Sequence, residues 1–336
     1  MSLIDTLWYR SSILATPLFP LTLLFGGVAS IRKGLFKIGL LKSTKMPVPV
    51  VIIGNISVGG AGKTPLTIHL ANALSKMGFQ PGIVSRGYGG QADQPCLVQS
   101  DSDTLIVGDE PVLMARHCPC PIVVGADRVA AAQHLLQLYP TCNVILCDDG
   151  LQHYRLQRDI ELCVIDTARG FGNGLLLPAG PLREPPRRLK EVSAIVLNGA
   201  GPLPHATQSP VFRMKLAGQT FQQLTNPAHQ AQADFFTGKR VAAVAGIGNP
   251  QRFFDTLQAM GLAPTCHPFP DHHRFSAQDL ALPEADIIIM TEKDAVKCCG
   301  AKDVRIWTLP VSATIEPDLA DFMAEKLRNL HGCKVA

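Results

Sequence analysis

The sequence predicts an α/β protein, with a mostly parallel sheet in a first unit and a second, smaller α/β unit after it. Three observations carry this. From residue 46 to about 200, short apolar runs alternate with helical stretches, the pattern of strands covered on both faces by crossover helices. A Gly/Pro-rich stretch at 199–210 then interrupts the alternation. A new apolar run at 240–245, followed by Gly246-Ile247-Gly248-Asn249-Pro250, restarts it.

Length and composition fit that outline. At 336 residues the chain can bury a sizeable core, and two domains is the ordinary expectation. With 46% hydrophobic and 17% charged residues, global disorder is excluded. A net charge of only +4 argues against a dedicated nucleic-acid binder. The ten cysteines include no C-x-x-C pair. Cys118 and Cys120 beside His117 lack the spacing of a standard zinc site, so buried or free thiols in a reducing compartment are expected.

In chain order, residues 1–45 form a segment of their own. The stretch 13–29 is apolar apart from Thr16 and Thr22, with Pro17 and Pro20 near its start. Arg32, Lys33, Lys37, Lys42 and Lys45 follow, interleaved with apolar residues. No small-residue cleavage site marks a signal peptide. Apolar plus cationic character suits a helix or hairpin docked on an anionic membrane surface; a helix packed on the protein without membrane contact is the other reading.

The first α/β unit is expected over 46–205. Strands are predicted at 48–54, 82–85, 96–99, 121–125, 143–148, 161–166 and 193–198, and helices at 64–77, 109–117 and 127–138. The second unit is expected over 206–336. It opens with an apolar run at 211–216 and a polar, Gln-rich segment. A helix near 250–260, strands at 286–291 and 304–309, and a closing amphipathic helix at 316–330 complete it. That last helix has the option of packing on the first unit.

The chemistry concentrates around Gly54-Asn55-Ile56-Ser57-Val58-Gly59-Gly60-Ala61-Gly62-Lys63-Thr64-Pro65. An apolar strand leads into a glycine-rich loop and then a helix. Such a loop turns backbone N–H groups toward phosphate oxygens at the helix N-terminus. Lys63 is placed to reach the β- and γ-phosphates, and the Thr64 hydroxyl to bind Mg²⁺. Ser57 stands where the usual G-x-x-x-x-G-K-[ST] pattern has its first glycine. Gly-Lys-Thr alone is common; between a strand and a helix, in a loop with three glycines, it reads as a nucleotide site.

A second apolar run ends in Cys147-Asp148-Asp149-Gly150. Strand-end acids of this kind hold Mg²⁺ in P-loop enzymes. Weaker signals are Gly108-Asp109-Glu110-Pro111, which on its own reads as a helix cap, and Asp271-His272-His273, which is open to a metal site or a catalytic base assembly but on its own reads first as a polar loop. The pair Gly246 and Gly248 lacks the third glycine of a dinucleotide fingerprint. Thr291-Glu292-Lys293-Asp294 has the wrong spacing for a guanine-reading box. The basic loop from Pro181 to Lys190 is either a connector or a holder of anions.

Taken together these residues resemble the tetraacyldisaccharide 4′-kinases of lipid A biosynthesis. The resemblance runs over almost the whole chain through the loop at 54–65, Ser85-Arg86-Gly87-Tyr88-Gly89-Gly90, Gly108-Asp109-Glu110-Pro111 and Asp148-Asp149-Gly150-Leu151-Gln152-His153. It continues through Leu177-Pro178-Ala179-Gly180-Pro181-Leu182-Arg183-Glu184, Gly246-Ile247-Gly248-Asn249-Pro250, Asp271-His272 and Thr291-Glu292-Lys293-Asp294-Ala295-Val296-Lys297. Ser57 looks like the family's own variant.

The resemblance implies a P-loop kinase fold. It implies ATP-dependent phosphorylation of the 4′-hydroxyl of a tetraacyl glucosamine disaccharide 1-phosphate, giving lipid IVA, at the cytoplasmic face of the inner membrane. It places catalysis on Asp109, His272 and Lys63. Asn55, Ser57, Val58, Gly59, Gly60, Ala61, Gly62, Lys63 and Thr64 would cradle ATP, with Thr64, Asp148 and Asp149 at Mg²⁺. Tyr88, Arg128 and Gln152 are expected to contact the lipid substrate, and the chain is expected to act as a monomer. The rival readings are a P-loop GTPase of the metallochaperone type, which would need a guanine box and metal-handling cysteines, and a non-catalytic nucleotide-binding module at a membrane.

Overall fold

The N-terminal segment folds into α1 (Leu3–Tyr9), a 3₁₀ turn at Ile13–Leu18 and α2 (Phe19–Lys37) in the computed structural model, which describes residues 3–9, 13–298 and 300–331. The two prolines set this division. Pro17 lies inside the 3₁₀ turn and Pro20 in the first turn of α2, where a missing N–H is tolerated. One face of α2 is tied to the protein. The buried Thr22 hydroxyl accepts from the Ala179 N–H at 3.1 Å, and Lys33 pairs with Glu191. The other face leaves Leu21, Leu23, Leu24, Val28 and Ile31 exposed. The helical stretch from Ala15 to Lys37 is long and apolar enough to cross a membrane. Residues 1, 2 and 10–12 of the expected N-terminal segment, and 332–336 at the far end of the expected second unit, lie outside the described residues.

The apolar run before the glycine loop becomes β1 (Val50–Gly54), buried along its length. It is flanked in parallel by β5 (Val144–Asp148) and β6 (Ile160–Asp166). Beyond β5 come β2 (Pro81–Ser85), β4 (Ile122–Val124) and the antiparallel edge strand β3 (Cys96–Val98). Beyond β6 come β7 (Ala194–Asn198), β8 (Val211–Ala217) and the antiparallel β15 (Ser312–Glu316), completing nine strands. Early strands lie on one side of β1 and β6–β8 on the other, so the winding reverses beside β1. In open α/β sheets the crevice at the strands' carboxyl ends is, at such a point, the ligand site.

Both faces of the sheet are covered. Val51 and Ile53 pack under α3 (Lys63–Lys76), α5 (Asp109–His117) and α9 (Leu319–His331); the short α4 (Thr104–Val107) leads into α5. Val50 and Ile52 face the other way, into the cluster that takes in α6 (Arg128–Leu138). Double coverage is why these strands read as continuous apolar runs rather than alternating ones.

The second sheet has six strands in the order β10 (Asn226–Ala231), β9 (Phe221–Gln223), β14 (Ile306–Leu309), β13 (Ile287–Thr291), β11 (Val241–Ala245) and β12 (Thr265–Pro268). It carries α7 (Pro250–Ala259) and α8 (Glu292–Ala295). Sheet membership differs from the expected division at 205/206. The 211–216 run, expected to open the second unit, is β8 of the first sheet, and β15 returns to the same sheet. The closing helix packs there too, with Leu319, Met323 and Leu327 buried against α3. By pairing, the second unit runs from 221 to 309.

Candidate active site

The glycine loop leaves β1 and is fixed at several points before α3 begins. Ser57 forms an isolated antiparallel bridge with Leu182, and the Val58 N–H donates to the Pro181 carbonyl at 2.8 Å. Asn55 is fully buried and spans the loop: its Nδ2 donates to Gly59 O at 3.3 Å, and its Oδ1 accepts from Lys63 Nζ at 3.2 Å. Gly62 has φ of +94°, and a Cβ there would sit 2.5 Å from Asn198 Nδ2. That amide donates to Ala61 O at 3.0 Å, so the last turn of the loop is tied to the end of β7. Only glycine meets both demands at 62. Thr64 is buried in the first turn of α3.

The strand-end acids sit beside this loop. Asp148 is 1% exposed and accepts from the Thr67 hydroxyl at 3.3 Å. Burial, and then the nearby Glu110 carboxylate, push its pKa up to about 7. A buried oxygen ligand with so little compensation suits a hard divalent cation, which would stabilise the charged form. Asp149 stands differently. It adopts φ of +50° and is held by Arg183 Nη1 at 3.1 and 3.2 Å and by Lys63 Nζ at 3.6 Å. Burial opposes its charge, but Lys63 and Arg183 carry its pKa below the ordinary value. Of the two, Asp148 has the freer carboxylate.

The G-D-E-P and D-H motifs, far apart in sequence, meet across the cleft between the two units. Asp109 opens α5 and is 4% exposed; its Oδ2 lies 3.0 Å from His272 Nδ1. His272 has φ of +60° in the stretch after β12. Burial would raise the Asp109 pKa, yet the hydrogen bond from His272 and the charge of Lys293 hold it below the usual carboxylate value. The same hydrogen bond raises His272 against its own burial. Glu110 pairs with Lys293 at 2.8 Å, and Lys293 reaches Asp271 at 3.5 Å. The Thr-Glu-Lys-Asp box thus supplies a cation that links the two units.

The expected substrate residues are spread around this centre. Tyr88 is 61% exposed and its ring lies 5.0 Å from that of His272. Arg128 is buried at the start of α6, with Nε lacking a hydrogen-bond partner among the described residues. Burial and the Arg128 charge depress His153 to about 4. The Gln152 amide nitrogen is engaged by Asn55 O at 3.2 Å and Glu184 Oε1 at 2.8 Å, so this side chain braces the start of the glycine loop.

Residues 60–64, Glu110 and Lys293 line a cavity of about 530 Å³ between the units, with Leu216, Ile247, Phe253 and Leu309 on its apolar walls. Several residues here carry no role in the sequence reading. Asp166 also lines the cavity; like Asp148 it ends an apolar strand, so the same signal marks it. Asn198, Arg252 and Arg169 have no local pattern to reveal them. Asn198 Oδ1 accepts from Arg252 Nη2 at 2.8 Å, and Arg169 donates to the Gly248 carbonyl across the cleft.

Known proteins match this arrangement. The family model described as tetraacyldisaccharide-1-P 4′-kinase (LpxK) covers residues 14–328. The tetraacyldisaccharide 4′-kinase of Aromatoleum aromaticum is 50% identical over 95% of this chain and 96% of its own length. That of Chromobacterium violaceum is 48% identical over 99% and 100%. Among solved structures, LpxK from Aquifex aeolicus in complex with ATP superposes with a TM-score of 0.80 at 29% identity, covering 94% of this chain and 99% of that one. The chain belongs to the tetraacyldisaccharide-1-P 4′-kinase family.

Proposed function

We propose that the cleft transfers the γ-phosphoryl group of ATP to the 4′-hydroxyl of a tetraacyl glucosamine disaccharide 1-phosphate, giving lipid IVA. The family assignment makes the chain an ATP-dependent tetraacyldisaccharide 4′-kinase of lipid A biosynthesis. The observation that supports the division of labour is the Asp109–His272 contact at 3.0 Å, made across the cleft that the phosphate loop lines.

In this reading the N–H groups of residues 59–64 and the Lys63 ammonium hold the triphosphate, while the Val58 N–H, bonded to Pro181 O, fixes the loop. Lys63 acts most strongly on the charge of the transferring group. Thr64, Asp148 and Asp149 would hold Mg²⁺, with Asp148 the better placed of the two acids. A bound Mg²⁺ neutralises charge on the β- and γ-phosphates. Asp109 receives the proton of the attacking hydroxyl. Its depressed pKa keeps it charged at neutral pH, and a weak base suffices where the transition state is loose. His272 orients that carboxylate from the second unit. Tyr88 and Arg128 are offered to the sugar or its phosphate.

The exposed apolar face of α2 and the basic residues from 32 to 45 suit monotopic contact with an anionic leaflet. That brings the lipid to the cleft at the cytoplasmic face of the inner membrane. All the assigned residues come from one chain, so a monomer suffices.

The test mixes purified protein with ATP, Mg²⁺ and detergent-dispersed disaccharide monophosphate, and looks for the bisphosphate. Lys63→Ala is expected to lower kcat by about 10²- to 10³-fold, the size of effect seen when a donor to transition-state charge is removed. A folded variant with near-normal turnover sinks the reading. Steady nucleotide hydrolysis by the wild type with no lipid present would point to a switch protein instead.

A further inference from the structure

Apart from Arg183, the basic loop from Pro181 to Lys190 has no part in the chemistry above. Its first half runs along the glycine loop: Val58 N–H donates to Pro181 O at 2.8 Å, and Arg183 N–H donates to Ile56 O at 2.7 Å. Its second half winds into a 3₁₀ turn at Pro186–Lys190. Between the halves stands Glu184, in a buried charged cluster. Arg188, 3% exposed, lies 2.6 Å from Glu161 and 3.3 Å from Glu184. The Glu184 contact is an ion pair by distance, with no hydrogen bond from Nε. Burial opposes the Arg188 charge, but the hydrogen bond to Glu161 and its charge carry the guanidinium above its ordinary pKa. Tyr154 Oη donates to Glu184 Oε2 at 2.6 Å; burial and the Glu184 charge push the phenol up, so it stays a donor. A buried cluster of this kind is a poor source of stability, because desolvation offsets the attraction. It does supply a carboxylate held in one place.

We propose that Glu184 is a positioning residue for phosphoryl transfer: it fixes which way the Gln152 amide points, and through Gln152 and Asn55 it sets the Lys63 ammonium at the phosphates. This rests on the assignment of Lys63 and the 59–64 loop to the ATP phosphates.

A carboxylate paired with a guanidinium accepts hydrogen bonds and donates none, whereas a carboxamide has one accepting and one donating end and fills the same space either way round. Gln152 faces two acceptors, Glu184 Oε1 at 2.8 Å and Asn55 O at 3.2 Å, and its Nε2 serves both. Turned over, its oxygen would face the carboxylate and the carbonyl with no hydrogen bond to either. Glu184 therefore selects the orientation in which Gln152 holds the Asn55 carbonyl.

The fixed Asn55 then spans the loop, with Nδ2 on Gly59 O and Oδ1 on Lys63 Nζ. The other group beside the ammonium is Asp149, 3.6 Å away, and Arg183 holds that carboxylate at 3.1 and 3.2 Å. Adjacent residues of one loop, Arg183 and Glu184, thus govern both partners of Lys63.

The test measures kcat, the KM for ATP and the KM for detergent-dispersed lipid in wild type, Glu184→Gln, Gln152→Leu and the double variant. Glu184→Gln keeps the shape but adds a donor, so that the Gln152 amide gains a turned-over orientation in which it releases Asn55. It is expected to lower kcat about tenfold, the weight of a hydrogen bond to a charged group, with the lipid KM unchanged. Gln152→Leu removes both bonds and is expected to do the same. Because the two act in series, the double variant is no worse than Gln152→Leu.

Wild-type kcat in either folded single variant overturns the proposal, and Gln152→Leu decides alone if Glu184→Gln does not fold. Losses that multiply in the double variant also overturn it, because Glu184 would then act by another route. So does a raised lipid KM in Gln152→Leu with kcat held, which would make Gln152 a substrate contact. Failure of the underlying ATP site is seen separately, as full turnover in Lys63→Ala. If Lys63→Ala is inactive and the Glu184 and Gln152 variants turn over normally, only the positioning role falls.

Discussion

Asp148 and His272 serve the same cleft, and the chain supports them in opposite ways. Asp148 ends a central strand, in register with Ile53 of β1, and α3 covers it through Thr67. His272 comes from an irregular stretch in which none of residues 269–284 is buried. Its φ of +60° is unusual for a residue with a Cβ. It is fixed by its backbone N–H to Gly246 O at 3.2 Å and by Asp109 from the other unit. The phosphate half is therefore built into the first sheet. The histidine is delivered across a cleft, and its position depends on contacts between units. The polar contacts between units include His272–Asp109, Lys293–Glu110, His117–Glu292, Arg169–Gly248 and Arg252–Asn198, and Val296 of the second unit is buried in the first unit's core.

The most damaging way to break this contrast is to remove the base itself. Asp109→Asn is expected to lower kcat by about 10³-fold and His272→Ala by about 10²-fold, within the range of general acid–base catalysis, with ATP binding retained. If the two act as one unit, the double variant is little worse than Asp109→Asn. Losses that multiply would show independent roles. The pH profile sharpens the point. The His272 hydrogen bond lowers the Asp109 pKa against burial. Without it the Asp109 pKa rises, so the acid limb of kcat/KM in His272→Ala moves to higher pH. An unmoved limb would separate His272 from the titration of Asp109.

A smaller effect is expected from loosening the contact between units without touching the dyad. Lys293→Met leaves the Glu110 and Asp271 carboxylates facing each other with no shared cation. It should lower kcat about tenfold and open the crossing segments near 218–220 and 310–311 to limited proteolysis. Arg155→Ala, which breaks the exposed pair with Asp127, is the control and should change neither. Equal behaviour of the two variants would mean that delivery of His272 does not depend on Lys293.

The same contrast explains what was legible in the sequence. The path from β1 through the glycine loop to α3 is local: an apolar run, then glycines and Lys63, then helical spacing. Asp148 shares that advantage. His272 has only a weak local signature, the Asp271-His272-His273 run, and it was the resemblance to a known family that tied it to Asp109. The start of the second unit was misplaced because β8 and β15 are assigned by pairing with strands distant in sequence, whereas the Gly/Pro-rich stretch at 199–210 is a visible local break. The β9–β10 hairpin escaped notice because β10 is almost wholly exposed and carries no apolar alternation. Gln152 was expected at the substrate; its amide nitrogen is spent on Asn55 and Glu184, a pairing no spacing rule reveals.

The smallest expected effect on turnover concerns α2, where one helix holds both kinds of support. Thr22 is buried and bonded to the 176–179 backbone, so it anchors the helix to the protein. Leu23 and Leu24 are 63% and 64% exposed, so replacing them removes little from the core. Leu23→Ser with Leu24→Ser should change folding stability by no more than about 0.5 kcal/mol, as for other surface changes. In a membrane interface the same two side chains would each contribute about 1.5–3 kcal/mol when fully buried. The double variant should therefore shift from vesicle-bound to free in a sedimentation assay, while its melting temperature stays put. Turnover of lipid presented in vesicles should fall only a few-fold, because the cleft is untouched. Thr22→Val reverses the pattern: it leaves the outer face apolar but strips the Ala179 N–H of its acceptor, so stability falls and partitioning holds. Unchanged sedimentation of the double-leucine variant would show that the exposed face of α2 does not meet the membrane.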